Sequence, residues 1–218
     1  MADAGTDSGI RYGHPRTGLV PYIHSKRYFL YDTDGGDARV IESLRPAAAV
    51  AVCLMAAALI LLFGNRIHRN LREAITVIAA ICAAGLIFSM APAVAAGHVY
   101  EARLWQIAEG IKLGFRTDAA GMVFACIASF LWILTSVYSI GYMRGHHEKN
   151  QTGYFAAFAV CVGSALGIAL AANLMTFFIF YEMLTIATYP LVAHGRDATA
   201  KSSGRKYLAY TLISGQLF

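Results

Sequence analysis

The chain contains 218 residues, with 18 lysines and arginines against 13 aspartates and glutamates, so its formal net charge is +5. Apolar residues make up 57% of the sequence, charged residues make up 14%, and the mean hydropathy is +0.52. Because an ordinary soluble domain has about 25% charged residues, this composition excludes the common soluble globular class. The basic excess lies in short connections between apolar runs, which argues against nucleic-acid binding and for orientation in a bilayer.

The first region is a polar tail, residues 1–45, which mixes Gly, Asp, Tyr and Arg without periodicity. It lacks the basic-then-apolar pattern of a cleaved signal peptide. The aromatic cluster at residues 27–31 could bind a partner surface, but a loosely ordered tail is the favoured interpretation. The membrane region is predicted to occupy residues 46–218.

Five long apolar runs follow the tail, and each is long enough to cross, or nearly cross, a hydrocarbon core of roughly 30 Å. In lipid such runs form helices, because an open strand would leave backbone groups unpaired. A sixth run, 207–218, reaches only about 18 Å as a helix, so we expect a longer protein or another chain to complete it. The sequence predicts an all-α, polytopic transmembrane helix bundle with spans at about 47–64, 74–96, 119–143, 154–172 and 174–193.

Basic residues are concentrated in every second connection. Connections 65–73, 144–153 and 194–206 hold nine lysines and arginines, whereas five lie close to helix ends on the opposite side. The positive-inside rule therefore predicts a multi-pass protein of the inner membrane with its amino terminus outside the cytoplasm.

Two local patterns predict how the helices begin and pack. Asp118 directly precedes the third span and is interpreted as a helix N-cap. Ala159, Gly163, Gly167 and Ala171 recur every four residues, a stripe of small residues where another helix can approach closely.

No pattern in the sequence indicates a metal or a cofactor. The four cysteines lie in apolar stretches without metal-ligand or disulfide spacing. His146, His147 and Glu148 form a potential metal cluster, but such a run in a charged loop is usually solvated. There is no glycine-rich phosphate loop, nucleophile elbow or cofactor fingerprint, so no cofactor is predicted.

Glu182 is the one formal charge in the five predicted spans, and it is ninth in a span of twenty residues. A carboxylate near the bilayer midplane costs about 2.5–3.5 kcal/mol on insertion scales, so such a residue is a functional hypothesis by default. A carboxyl balanced between desolvation and a nearby ammonium can take and release a proton. The alternative is that Glu182 only hydrogen-bonds a neighbouring helix.

Other polar residues share helix faces that could serve Glu182. Thr185 and Tyr189 follow it at i+3 and i+7, and their hydroxyls either hold water or only satisfy each other between helices. Lys206 begins the sixth run, with Tyr210 and Ser214 on its face. It is either a relay member between the cytoplasm and Glu182 or an anchor that snorkels to the interface.

Three segments resemble the antiporter-like membrane proteins shared by Mrp-type cation/proton antiporters and respiratory complex I. The segment YSIGYM within the first of them and FFIFYEMLTIATYPL within the second are most similar to the D-type Mrp protein. The three segments are FRTDAAGMVFACIASFLWILTSVYSIGYMRGHHEKNQTGYFAAF at residues 115–158, LGIALAANLMTFFIFYEMLTIATYPLVAH at 166–194 and GRKYLAYTLISGQLF at 204–218.

The resemblance implies a bundle of about fourteen helices with two inverted five-helix repeats, each forming half of a proton path. The functional glutamate of the family falls on Glu182, and a lysine often present at the start of the sixth helix falls on Lys206. The chain ends before the broken seventh helix and the second repeat, so it corresponds to an amino-terminal portion of that fold.

The favoured interpretation is a proton-translocating subunit of a sodium/proton antiporter, which relays protons through Glu182 beside other membrane subunits. One alternative is a pumping subunit of an NADH:quinone oxidoreductase or a membrane hydrogenase, so an enzymatic role stays open. A structural subunit that only packs and scaffolds is the other alternative.

Overall fold

A computed structural model describes residues 39–64, 66–108, 111–146, 151–192 and 198–217. Most of the predicted tail, with its aromatic cluster at 27–31, lies outside the described residues. In chain order the elements are β1 (Val40–Glu42), α1 (Arg45–Phe63), α2 (Arg69–Ala95), β2 (Val99–Ala108), β3 (Ile111–Thr117), α3 (Ala119–Gly145), α4 (Gln151–Ala169), α5 (Leu174–Val192) and α6 (Ala198–Leu217).

Within these ranges, α1 to α5 are long and apolar enough to cross a membrane, judged by length and composition. The predicted polytopic helix bundle is therefore confirmed. Two boundaries differ from the prediction. Helix α2 begins at Arg69, before the predicted start at 74, and α6 begins at Ala198, before the predicted start at Tyr207. In both cases the first turns of the helix are polar. A prediction based on apolar runs therefore places the start of the helix too late.

Side-chain caps and proline define several helix starts. Asp118 accepts a hydrogen bond from the backbone N–H of Gly121 at 2.6 Å, which confirms the predicted N-cap of α3. Helix α1 has Pro46 in its first turn, where the missing backbone N–H of proline costs no helical hydrogen bond.

The hairpin β2–β3 connects α2 to α3 and forms a three-stranded sheet with β1, so the fold is mostly helical rather than purely helical. Its order is β1-β2-β3, with β1 parallel to β2 and β2 antiparallel to β3. Tyr100 and Ala102 on β2 and Phe115 and Thr117 on β3 are buried at alternate positions. The prediction of an all-α chain missed this alternation because β2 and β3 lie in the more polar segment between the second and third predicted spans.

Helix α4 lies at the centre of the bundle and packs against α1, α5 and α3. The predicted stripe of small residues lets α4 approach α1 and α5 closely. A Cβ added at Gly163 would lie 2.9 Å from Cβ of Cys53 on α1, and one added at Gly167 would overlap the Phe180 ring on α5. Ala159, Gly163 and Gly167 therefore form a packing surface, as predicted. Ala171 lies beyond the end of α4 and instead pairs with Phe115 of β3.

The hairpin β2–β3 holds the first turn of α5 in place. Thr176 accepts a hydrogen bond from the backbone N–H of Gly114 at 3.2 Å, and Asn173 donates to the carbonyl of Lys112 at 2.6 Å. The rings of Phe115 and Phe180 add an apolar contact, with centroids 5.6 Å apart. Helix α5, which carries Glu182, is thus fixed to the sheet at its amino-terminal end.

Candidate functional site: the buried carboxyl of Glu182

Glu182 is the ninth residue of α5, and its carboxyl group lies against α6. Its oxygen Oε1 is buried and has no hydrogen-bond partner among the described residues. A Cβ added at Gly215 of α6 would lie 3.5 Å from this oxygen. Because a buried polar atom without a partner is unfavourable, this oxygen is a candidate site for a proton or a water molecule.

Tyr181 lies beside Glu182 at the same contact with α6. Its ring stacks on Phe177 with centroids 6.3 Å apart and an interplanar angle of 8°. The ring also approaches Gly215, where an added Cβ would lie 2.7 Å from Cε1. Sequence reasoning missed both Tyr181 and Gly215, since only the three-dimensional packing shows that they meet.

The two hydroxyl residues predicted to line the site differ in their surroundings. Thr185 is buried, and its hydroxyl donates to the carbonyl of Tyr181 at 3.1 Å, within the same helix. Tyr189 is partly buried one turn further along α5. Their roles in holding water stay predictions.

A hydroxyl contact missed by sequence reasoning joins α5 to α6. The oxygens of Thr188 and Tyr207 are 3.4 Å apart, and Thr188 also donates to the carbonyl of Thr185 at 2.8 Å. Thr188 is six residues beyond Glu182, or about 9 Å along the helix. Tyr207 and Gly215 are therefore two α6 residues that contact α5.

Lys206, the residue before Tyr207, is exposed. Tyr210, which the sequence predicts on the same helix face as Lys206, is 73% exposed. The described part of the chain has ion pairs between Arg103 and Glu101 and between Arg144 and Glu73, and none that includes Glu182. Any transfer between Lys206 and Glu182 would need intermediate groups. The relay role of Lys206 stays a prediction.

A second buried carboxyl, not predicted, lies at the end of the bundle that carries the basic connections. Glu73 on α2 is buried and forms a bidentate ion pair with Arg144 of α3. Arg144 also donates to the side-chain oxygen of Asn70 at 2.8 Å. This ion pair shows that the connections after α1 and after α3 lie at the same end of the bundle.

Arg72 extends this cluster to α4. Its guanidinium donates to Thr152 at 3.1 Å and to Gln151 at 2.6 Å, and it lies 5.7 Å from the centroid of the Phe155 ring. One sequence signal could have found the cluster, namely the acid at position 73 beside three arginines. Sequence reasoning instead placed Arg72 and Glu73 in the connection 65–73, where basic residues predict orientation in the bilayer.

The part of the chain covered by the structure contains no group of three His, Cys, Asp or Glu side chains that could hold a metal ion. His146 contacts the carbonyl of Tyr142 at 3.1 Å, whereas His147 and Glu148 lie outside the described residues. The expected absence of a metal site in that connection therefore stays a prediction.

Comparison with known proteins identifies the kind of protein that this chain resembles. A family profile described as "NADH-Ubiquinone oxidoreductase (complex I), chain 5 N-terminus" matches residues 105–155. The A/B component of a probable K(+)/H(+) antiporter of Rhizobium meliloti (strain 1021) is 29% identical over 126 residues, which cover 57% of this chain and 12% of that protein. The chain is similar to antiporter-like membrane subunits. The resemblance inferred from the sequence motifs is thereby confirmed.

Further relatives belong to both kinds of complex. The D component of a probable K(+)/H(+) antiporter of the same Rhizobium strain is 29% identical over 122 residues, which cover 55% of this chain and 21% of that protein. An "NAD(P)H-quinone oxidoreductase subunit 5, organellar chromatophore 1" of Paulinella chromatophora is 27% identical over 100 residues, which cover 45% of this chain and 15% of that protein. The matches thus span about an eighth to a fifth of these antiporter-like relatives.

A solved structure has the same fold. It is titled "Structure of the membrane-bound sulfane sulfur reductase (MBS), an archaeal respiratory membrane complex", and it matches with a TM-score of 0.66 at 16% identity. The match covers 80% of this chain and 35% of the other chain. This likeness shows the fold alone. The five long apolar helices and the membrane relatives show that the chain is a multi-pass membrane protein.

Proposed function

We propose that this chain forms part of a proton-translocating, antiporter-like subunit that works within a multisubunit complex of the inner membrane. The observation that carries the proposal is the carboxyl of Glu182, placed at mid-helix on α5 with Oε1 buried against α6. The relatives named as antiporter and quinone-oxidoreductase subunits support it.

The chemistry follows from the surroundings of this carboxyl. An ionised carboxylate in the bilayer interior is unfavourable by about 2.5–3.5 kcal/mol, and a neutral carboxyl avoids most of that cost. A change in nearby positive charge, brought about by a moving partner, can therefore drive uptake or release of one proton. Glu182 would be the proton-accepting group, with Thr185 and Tyr189 as polar lining.

The contact between Thr188 and Tyr207 supports a path from the part of α5 near Glu182 towards the exposed side chain of Lys206. Lys206 precedes Tyr207 and is exposed, which supports a role in exchanging protons with the aqueous phase. We propose that the end of the bundle near Lys206 faces the cytoplasm and that residues 39–44 lie on the opposite side. The distribution of basic residues supports this orientation.

The more specific form of the proposal is a D-type component of a monovalent cation/proton antiporter, with sodium as the cation. The similarity of residues 138–143 and 177–191 to the D-type Mrp protein supports the type, and a D component is among the relatives. Relatives of the A type are also present.

The decisive experiment replaces Glu182 by Gln in the complete assembly. Glutamine keeps the size of the side chain but cannot titrate, so we expect proton-coupled cation exchange in membrane vesicles to be abolished while the complex still assembles. Glu101→Gln is the matched control, because Glu101 is a carboxylate on strand β2 that pairs with the exposed Arg103. Wild-type exchange in Glu182→Gln would refute the proton-relay role and favour a structural scaffold.

A second candidate is a subunit of a redox-driven proton pump. The family profile that matches residues 105–155 describes a component of complex I, and the solved structure of the same fold belongs to a respiratory complex. Glu182 would have the same role, but electron transfer in partner subunits would supply the energy. Identification of the subunits that co-purify separates the two candidates, since flavin or iron–sulfur proteins indicate the redox complex.

A further inference from the structure

The three-stranded sheet has one closed edge and one open edge. At the edge formed by β3, the N–H of Arg116 donates to the carbonyl of Leu170 at 2.8 Å. The N–H of Ala172 donates to the carbonyl of Gly114 at 3.0 Å, so residues 170–172 cover this edge. At the other edge lies β1, which pairs with β2 and has no second neighbour among the described strands. An open strand edge of this kind can pair with a further strand.

The hydrogen bonds to β2 show which backbone groups of β1 face the open edge. Arg39 accepts a backbone hydrogen bond from β2 at 3.2 Å, and Ser43 donates one to β2 at 3.1 Å. In a parallel ladder, alternate residues of a strand bond to the same neighbour. The N–H and carbonyl groups of Val40 and Glu42 therefore point away from β2, to the open edge.

The sequence that directly precedes β1 has the pattern of a β-hairpin. Residues 27–33, RYFLYDT, are rich in aromatic residues and contain neither glycine nor proline, which favours a strand. Residues 34–37, DGGD, follow them, and glycine and aspartate are typical of the loops that join antiparallel strands. In a hairpin with this four-residue loop, Thr33 is opposite Ala38 in a hydrogen-bonded pair. Hydrogen-bonded pairs then alternate along the ladder, so positions 40 and 42 of β1 fall in such pairs.

The same register also matches side chains across the two strands. It places Leu30 opposite Ile41, whose side chain packs against the hydrophobic core, and it places Asp32 opposite Arg39. Apolar pairs and pairs of opposite charge both stabilise antiparallel strands. A shift of one residue separates Asp32 from Arg39 and changes the length of the loop. The pattern of side chains therefore agrees with the pattern of free backbone groups on β1.

A cavity beside β1 has an excess of negative charge. Its volume is about 310 Å³, and its charged lining consists of Glu42, Glu101 and Arg103. Arg103 donates to Glu101 at 3.1 Å, so among the described lining residues the carboxylate of Glu42 is the excess charge. A strand in the register above has Phe29 opposite Glu42 and Arg27 two positions further on the same face. A guanidinium at that position complements the charge of the cavity.

We propose that residues 27–33 form a further strand of this sheet, antiparallel to β1, which covers the open edge and brings Arg27 to the carboxylates of Glu42 and Glu101. The inference does not depend on the role of Glu182. It attaches the amino-terminal segment to the same sheet that holds α5 through Thr176.

Amide hydrogen exchange, resolved to single residues in the complete assembly, tests whether this segment covers the edge. We expect the N–H groups of Val40 and Glu42 to exchange roughly tenfold faster or more in Leu30→Asp than in wild type, because aspartate disfavours the contact with Ile41. Ile23→Asp, outside the proposed strand, is the matched control and should keep the wild-type rates. Equal exchange in Leu30→Asp and wild type would overturn the inference, whether the edge is open or covered by a strand of a partner subunit.

Cysteine pairs in the same assembly test the register. In Asp32→Cys/Arg39→Cys the two residues are opposite each other in a non-hydrogen-bonded pair, where Cα atoms are about 4.5 Å apart and a disulfide can form. In Tyr31→Cys/Arg39→Cys the two side chains point to opposite faces of the sheet. Under mild oxidation we expect the first pair to form its disulfide roughly tenfold faster or more, as measured by mass spectrometry. Equal rates indicate an unpaired segment and a faster second pair indicates another register, and either result would overturn the inference.

Discussion

The ion pair between Glu73 and Arg144 predicts an asymmetric response to mutation. The Glu73 side chain is 4% exposed and that of Arg144 is 46% exposed. Arg144→Met leaves a buried carboxylate without its partner. Because Arg144 is itself half exposed, the cost should exceed the ~1 kcal/mol of a surface pair without reaching the ~3–5 kcal/mol of a fully buried pair. Glu73→Gln leaves an arginine that can reach water and still donates to Asn70, so its cost should be about 1 kcal/mol or less.

The assay is the unfolding of the purified, complete protein by increasing SDS, compared among four variants. We expect Arg144→Met to lose the most stability, Glu73→Gln to lose little, and Arg144→Met/Glu73→Gln to be more stable than Arg144→Met. Arg69→Met, which changes an exposed arginine at the start of α2, should stay within about 0.5 kcal/mol of wild type. Equal losses in the two single variants, with an additive double variant, would refute the reasoning.

Two further predictions concern helix boundaries and packing. Asp118→Ala removes the acceptor for the N–H of Gly121 and should lower the free energy of unfolding by about 1 kcal/mol in the same SDS titration. Asp118→Asn keeps a side-chain acceptor and should lose only a small part of that free energy. Gly163→Leu should reduce the yield of folded protein in detergent by size-exclusion chromatography, because its side chain would collide with Cys53 and Leu54. Gly85→Leu, where an added Cβ meets nothing within 4 Å, should be tolerated.

The sequence predicted the features that depend on local composition. Five helices follow from apolar runs of membrane-spanning length, and the N-cap at Asp118 follows from an acid placed before such a run. The position of Glu182 in the middle of α5 was predicted for the same reason, since it is the ninth residue of an apolar run of membrane-spanning length.

The features that depend on contacts between distant residues could not be predicted. Glu73 and Arg144 are 71 positions apart, and nothing in either segment identifies the other. Similarly, α6 has polar and apolar residues on several faces, so periodicity cannot decide which face meets α5. The sequence favoured the face of Lys206 and Tyr210, whereas the structure brings Tyr207 and Gly215 to α5.

The attachment of α5 to the hairpin has a mechanical consequence. Thr176 is bonded to the sheet and lies six residues before Glu182, or about 9 Å along a continuous helix. If a neighbouring protein displaced the hairpin, the continuous helix α5 would therefore transmit that displacement to the carboxyl group of Glu182. The attachment through Thr176 thus couples the position of the sheet to the position of Glu182 within the bundle.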